Sequence, residues 1–383
     1  MTICYWGTYD RGYPRNRILI DGLRGSGVEV RECHYALWGG PAEKLRRARG
    51  GWFHPFLLAR WAWAYASLSG KFLTARKPDF LFVGYSGHFD VFPAWCLSRI
   101  RRVPLIFDAF LSLYDSLVLD RDAVRKRGPK AWFLFRVDRW SCRLADRVLL
   151  DTQAHREFFC REFGIPRDKF WVLPIGADDR VFRPSPPRQT NGQTYTVLHF
   201  GRYIPLHGLE TVVQAAALLE RSGEAYRFLL VGDGEERVRI ETLVRELGVR
   251  SVEFLDSQPP ERLAAILREA DLCLGIFGRT DKASRVVPNK VYEAMAAQRP
   301  VITGDSPAAR ELLQDNEDCL LCERGNPVAL AGAIRRMRRD PLFSRKLAEG
   351  GRRSFEKQAA PGVLGTRVAQ RVASWKGSRA HLA

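Results

Sequence analysis

The stretch Thr196-Val197-Leu198-His199-Phe200-Gly201-Arg202-Tyr203-Ile204-Pro205-Leu206-His207-Gly208-Leu209 runs as a largely apolar segment into a glycine. It then leads into apolar positions at i, i+3, i+4 and i+7 across Gly208–Arg221. A short run that is apolar on both faces marks a strand buried on both sides. Helical spacing behind it makes a strand–turn–helix unit of a parallel sheet. Reading outward, the pattern recurs. Further strands are expected at Phe228–Gly232, Val252–Leu255, Leu272–Phe277, Pro300–Thr303 and Cys319–Cys322, with helical spacing at Glu236–Leu247 and Glu261–Ala270. The N-terminal half repeats it, with strands at Ile3–Gly7, Val28–Cys33, Phe80–Gly84, Pro104–Ala109, Arg147–Thr152 and Trp171–Ile175. Between the halves, Pro184–Gln193 is rich in proline, glycine and polar residues and reads as a linker or a surface loop. The expected class is α/β: two doubly wound domains facing each other across a cleft, with ligands beyond the carboxyl ends of the strands.

Length and composition agree. The 383 residues make about two domains at roughly 100–200 residues each. A content of 46% hydrophobic and 27% charged residues excludes wholesale disorder, a collagen-like chain and a disulfide miniprotein. The greasiest stretch, Gly51–Leu73, is broken by His54, Pro55, Arg60 and Lys71, so no membrane span is expected. Met1–Trp6 lacks the features of a signal peptide. Eight cysteines scattered through apolar runs fit reduced thiols and a cytoplasmic location. The net charge of +18 is uneven: residues 1–175 hold 29 basic and 17 acidic side chains, whereas residues 176–354 hold 27 and 25. A basic half suits an anionic partner such as phosphorylated substrate, anionic lipid or nucleic acid. An arginine-rich genome explains it equally well.

Two strands of the C-terminal half run into glycine turns that open helices, Gly201-Arg202-Tyr203 and Gly232-Asp233-Gly234, and a third helix starts at Pro288-Asn289-Lys290-Val291-Tyr292-Glu293. Glycine lets a backbone approach a phosphate closely. A helix start adds free N–H donors and a positive dipole end. Arg202 suits forked bonding to phosphate oxygens, His207 and Lys290 add positive charge, and Glu293 suits a ribose hydroxyl.

Together, Gly201-Arg202…Pro205…Gly208, Val231-Gly232-Asp233-Gly234, Val291-Tyr292-Glu293-Ala294-Met295-Ala296, Pro300-Val301-Ile302-Thr303 and Leu173-Pro174-Ile175-Gly176-Ala177-Asp178 resemble the donor half of glycosyltransferase family 4. These are retaining enzymes of the GT-B fold, with two Rossmann-like domains. The resemblance covers roughly residues 146–350. It implies an acceptor-binding domain over 1–175, a nucleotide-sugar-binding domain over 176–354, and a helical tail over 355–383 packing back toward the first domain. Arg202 would contact the donor diphosphate, Glu293 the ribose, and Gly234 with its neighbours the nucleotide. The start of the helix at Pro288-Asn289-Lys290 would offer N–H groups to the diphosphate. Two departures stand out: His207 replaces a lysine, and Arg285 replaces the first acid of the usual two-glutamate motif. The Pro-Asn-Lys-x-x-Glu variant resembles branches that build bacterial surface polysaccharides. No cofactor or metal is implied beyond the nucleotide-sugar itself. Asp120-Arg121-Asp122 reads as a charged loop, and Cys319-x-x-Cys322 lacks the second pair of a zinc site.

The first domain is expected to bind the acceptor through Trp6, Tyr9, Tyr13, Arg15 and Asn16. His88 and Asp108, at strand ends, join Arg202 as candidate catalytic residues. A loop histidine is the alternative for His88. His199 reads as a core or strand-end histidine. Basic and aromatic residues interleave over Leu45–Leu73 and Lys126–Arg147, and two readings stay open: packing on the first sheet, or an anionic membrane surface and a lipid-linked acceptor on the inner face of the plasma membrane. Rival functions are a same-fold nucleotide-sugar epimerase, which needs paired carboxylates, and a non-catalytic membrane or nucleic-acid binding protein. No nucleic-acid motif is present.

Overall fold

Among residues 1–37, 55–185 and 194–380, which the computed structural model describes, the apolar runs become two six-stranded sheets, parallel throughout. The first unit takes Met1–Pro174 and the segment from Pro361; the second takes Ile175–Ala360. Residues 186–193 of the expected linker lie outside the described residues. So do Leu45, Arg46, Arg47, Arg49, Trp52 and Phe53 and the side chain of Phe56 from the basic–aromatic stretch.

The first unit alternates β1 (Thr2–Gly7), α1 (Pro14–Gly25), β2 (Glu29–His34), α2 (Pro55–Thr74), β3 (Phe80–Val83), α3 (Val91–Arg101), β4 (Leu105–Phe110), α4 (Pro129–Leu144), β5 (Arg147–Leu150), α5 (Gln153–Phe163) and β6 (Phe170–Val172). Its strand order is β2-β1-β3-β4-β5-β6. Successive side chains leave a strand on opposite faces, and both faces here are buried. Cys4 and Trp6 of β1 enter one core with residues of α2, α3 and α5, while Ile3 and Tyr5 enter the other with α1.

The second unit holds β7 (Tyr195–Phe200), α6 (Leu209–Arg221), β8 (Tyr226–Val231), α7 (Arg237–Glu246), β9 (Val252–Leu255), α8 (Pro260–Arg268), β10 (Leu272–Leu274), α9 (Asn289–Ala296), β11 (Val301–Gly304), α10 (Pro307–Leu312), β12 (Leu320–Cys322), α11 (Pro327–Arg339) and α12 (Pro341–Gln358). The order β12-β11-β10-β7-β8-β9 winds one way from β7 to β9 and the other way from β10. The reversal makes the carboxyl end of β7 a topological switch point, the place where open α/β sheets bind ligands. Strand β10 is shorter than expected, because the chain beyond Leu274 leaves the sheet: Phe277 N–H bonds to the His207 carbonyl at 3.0 Å.

Helix α12 runs through Phe355, so the expected start of the tail falls inside a helix and the chain leaves the second unit only ahead of Pro361. There α13 (Pro361–Ala380) packs on α1, with Leu364, Val368 and Val372 buried in the core that holds Ile18 and Leu19. The two helices touch at glycines: a Cβ on Gly365 would meet the backbone of Gly22, and one on Gly22 the backbone of Pro361.

Candidate functional site

At the switch point of the second unit two glycine turns lock together. Gly201 ends β7 at φ +123° and Gly232 ends β8 at φ +141°, conformations that side chains strongly disfavour. Gly201 N–H bonds to Val231 O at 2.9 Å, and a Cβ on Gly232 would overlap the Gly201 carbonyl. Tyr203 N–H bonds to Asp233 O at 3.0 Å, Glu236 N–H bonds to Tyr203 O at 3.1 Å, and Asp233 Oδ1 accepts from Gly234 N–H at 2.7 Å. Arg202 stands exposed beside this turn. The turn continues to Gly208, at φ +65°, where a Cβ would strike the backbone of Phe277 and Gly278. The loop after β7 is thus wedged between the chain ends of its two neighbours, β8 and β10.

Helix α9 feeds the same place. Pro288, in extended conformation, precedes it; Asn289 opens it; Glu293, half-buried, lies one turn in. Lys290 is buried and points at the Gly201 turn, with Nζ 2.6 Å from His199 Nε2 and 3.3 Å from His207 Nδ1. Burial pushes the Lys290 ammonium well below its ordinary range, against the pull of Glu293. Burial also pushes His199 well down, and the nearby Lys290 and His207 push it the same way. The expected donor residues Gly201, His207, Gly232, Asp233, Gly234 and Lys290 therefore converge, and His199, read from sequence as a core histidine, belongs with them. Only its position at the end of β7, two residues before the glycine, signalled this.

The first unit places its candidates differently. Asp108 and Arg15 are fully buried partners: Nε to Oδ2 is 2.8 Å and Nη2 to Oδ1 is 3.1 Å. Arg15 Nη1 also donates to the carbonyls of Leu173 and Pro174, each at 2.9 Å. Asp108, expected as a catalytic candidate, is instead found fully buried in this ion pair, each carboxylate oxygen accepting from Arg15. Trp6 lies in the core, its indole N–H on Leu68 O at 3.3 Å; Tyr9 is buried with its hydroxyl on Glu32 at 2.9 Å. Asn16 is buried between the Tyr5 hydroxyl and the carbonyls of Asp10 and Tyr85. Trp6, Tyr9, Arg15 and Asn16 are thereby corrected from acceptor contacts to supports of the strand ends. His88 is buried too, with Nε2 3.4 Å from Asp138 of α4 and its ring edge-on to Phe107. Tyr13 remains half-exposed, its ring 4.9 Å from Tyr85 and 6.2 Å from Phe110, an aromatic surface beside the ends of β3 and β4. Sequence reading missed Asp90, whose buried carboxylate binds Thr8 N–H at 2.6 Å and the Tyr65 hydroxyl at 2.9 Å and so ties β1 to α2 and α3.

The aromatic side chains of the basic–aromatic stretches divide by exposure. Phe72 is buried on the first sheet, with Tyr65 and Phe135 packed against that core. Trp63 on α2 (68% exposed) and Trp132 on α4 (60% exposed) face outward with Phe133 and Trp140. Arg136 lies over Trp132 at 4.9 Å and Arg143 over Trp140 at 5.7 Å. Helices α2 and α3 pack side by side, as do α3 and α4. Among the described residues, no helix is long and apolar enough to cross a membrane.

Both units match family models: residues 12–176 the "Glycosyl transferase 4-like domain" and residues 194–340 "Glycosyl transferases group 1". A lipopolysaccharide core biosynthesis glycosyltransferase, LpsD of Rhizobium meliloti, is 29% identical over 197 residues, covering 50% of this chain and 53% of its own length. The chain thus spans about half the length of that curated relative. Among solved structures, Anabaena HepE in complex with UDP-glucose superposes with a TM-score of 0.70 at 19% identity, over 97% of this chain and 99% of HepE. Sucrose-phosphate synthase from Thermosynechococcus elongatus gives a TM-score of 0.75 at 19% identity, over 98% and 99%. The fold is GT-B.

Proposed function

We propose that this chain, whose two units carry the two domains of a GT-B glycosyltransferase, moves a sugar from a nucleotide-diphosphate sugar to a glycan or lipid-linked acceptor, with retention of configuration, in the synthesis of a bacterial surface polysaccharide. The observation that carries the reading is the switch-point cluster: a glycine turn at φ +123° that admits close approach, flanked by Arg202, His207 and buried Lys290. In the reaction the bond between the anomeric carbon and the phosphate oxygen breaks. The diphosphate leaves with the electron pair, and the acceptor hydroxyl oxygen bonds to the anomeric carbon while its proton passes to the departing phosphate oxygen. The protein's part is to hold leaving-group charge in a place prepared for it. Arg202 forks onto phosphate oxygens, Lys290 and His207 add positive charge, the N–H groups at Asn289 complete the cradle, and Glu293 holds the ribose. The first unit presents the acceptor, with Tyr13 and its aromatic neighbours as the surface for a sugar or prenyl chain.

The acceptor's attachment to lipid is supported by the cationic, aromatic face. Helices α2 to α4 carry eight Lys or Arg against one carboxylate, the buried Asp138. Tryptophans beside such charge suit the headgroup level of an anionic bilayer. Co-sedimentation with phosphatidylglycerol vesicles should be strong at low salt, reversed at high salt, and weakened by Trp132→Ser with Trp140→Ser. Equal binding by the double variant contradicts this part of the reading. For the reaction itself, the protein is incubated with UDP-, GDP-, ADP- and dTDP-sugars and polyprenyl-diphosphate glycans. One donor should lengthen the glycan by one sugar and release the nucleoside diphosphate. A free epimerised sugar without acceptor, or no turnover with any pair, contradicts it.

A further inference from the structure

Arg237, the first residue of α7, reaches back across the ends of three strands. Its Nη1 donates to the carbonyl of Gly232, just past β8, at 2.6 Å. Its guanidinium lies over the ring of Tyr203, which follows β7, at 5.4 Å from the ring centre, and over the ring of Phe254 on β9 at 5.1 Å. Glu241, one turn further along α7, accepts from Nε, and Asp256, just past β9, lies 3.6 Å from Nη1. A planar cation set against two aromatic rings, with forked donors shared between a carbonyl and a carboxylate, uses the properties that separate arginine from lysine.

These contacts bear on the turn that carries Arg202. Tyr203, its neighbour in the chain, is held at every polar atom. The N–H donates to Asp233 O, the carbonyl accepts from Glu236 N–H, and the hydroxyl donates to Leu230 O at 3.0 Å. Its ring is fully buried. The Asp233 carbonyl that holds Tyr203 belongs to the residue next to Gly232, whose own carbonyl Arg237 grips. Arg237 therefore holds the Gly201 turn twice, through the Tyr203 ring and through the Gly232–Asp233 backbone. Glycines have the widest choice of backbone conformation, and Gly201 and Gly232 sit at φ +123° and +141°. Turns built on them keep one shape through ties from outside.

We propose that Arg237 is a positioning residue for the donor: it fixes the Gly201 and Gly232 turns in the shape that aims Arg202 at a diphosphate before the nucleotide arrives. The inference rests on the nucleotide reading above and deepens it. With the clamp in place the turns are ordered in the free protein. Without it the nucleotide has to order them, and its affinity falls by that cost.

The test is isothermal titration of the full chain with UDP, GDP, ADP and dTDP at 25 °C and at 5 °C, for the unmutated chain, Arg237→Met and Arg237→Lys. Methionine keeps apolar packing on the rings and loses the charge and the hydrogen bonds. Expected is a roughly tenfold loss of affinity, carried by a less favourable entropy of binding and persisting at 5 °C. Lysine keeps the charge and a donor for the Gly232 carbonyl but not the planar fork, and should recover part of the loss. Affinity equal to that of the unmutated chain in both variants overturns the inference and leaves the donor site standing. Full recovery by Arg237→Met on cooling overturns it too, because the loss is then one of folding stability alone. If Arg237→Met does not fold, Arg237→Lys decides: full affinity overturns the inference and reduced affinity at both temperatures supports it. Absence of binding of all four nucleotides by the unmutated chain removes the donor reading itself and this inference with it.

Discussion

Replacing Asp108 with asparagine should loosen the first unit rather than silence an intact enzyme. The carboxylate meets Arg15 through two bonds of 2.8 and 3.1 Å, and neither side chain reaches solvent. Asparagine keeps the shape and one acceptor oxygen but removes the charge, and leaves a buried guanidinium with no counter-charge from its partner, beside the Leu173 and Pro174 carbonyls. Breaking a buried pair on one side costs about 3–5 kcal/mol. At roughly 2–4 °C per kcal/mol for a domain of this size, the melting temperature of the first unit should fall by about 6–20 °C. Calorimetry of the full chain reads this directly. The paired replacement Arg15→Met with Asp108→Leu should recover most of the loss, because an apolar pair of similar volume fills a buried ion-pair site without leaving charge. A chain carrying Asp108→Asn that melts within about a degree of the unmutated protein and yet has no transferase activity would refute this: Asp108 would then act on the substrate.

Gly365→Val should separate α13 from α1, because the new side chain meets the backbone of Gly22 and Leu23; overpacking of this kind costs about 1–3 kcal/mol, and limited proteolysis should release the C-terminal segment first. Asp138, lifted by burial to about 7 against hydrogen bonds from the Ser112 hydroxyl and the Tyr114 and Leu113 amides, holds a proton in the folded state that the unfolded chain loses near 3.8. Stability should therefore fall as pH rises from about 4 to about 7 and be level above. Urea melts of Asp138→Asn at pH 5 and pH 8 should lack that decline.

Much of the fold was legible because buried parallel strands are written as nearly continuous apolar runs: Phe228–Val231 is wholly apolar, and Val197–Phe200 and Leu105–Phe110 are each interrupted once, by His199 and Asp108. The glycines of the second unit were legible for a similar reason. Gly201, Gly208 and Gly232 take positive φ, and Gly208 and Gly232 also face backbone where a Cβ would stand, which only glycine satisfies cheaply. The first unit hid more. Its strand ends mix tyrosine, asparagine, arginine and aspartate, and sequence does not say whether such residues face a ligand or one another. Arg15 and Asp108 lie far apart in the chain and neutralise each other, and Asp90 accepts from the equally distant Thr8. Such pairing is a tertiary fact. The same limit kept His199 apart from Lys290 until the sheet and α9 came together.

The central claim is that a nucleoside diphosphate binds at the turn after β7 through Arg202. The direct measurement is the melting temperature of the second unit with UDP, GDP, ADP and dTDP, for the unmutated chain and for Arg202→Ala. One nucleotide, at about 100 times its dissociation constant, should stabilise the unmutated chain by about 2.7 kcal/mol, and Arg202→Ala should lose most of that gain while melting normally alone. Equal stabilisation of both proteins, or none of either by any nucleotide, would contradict the claim.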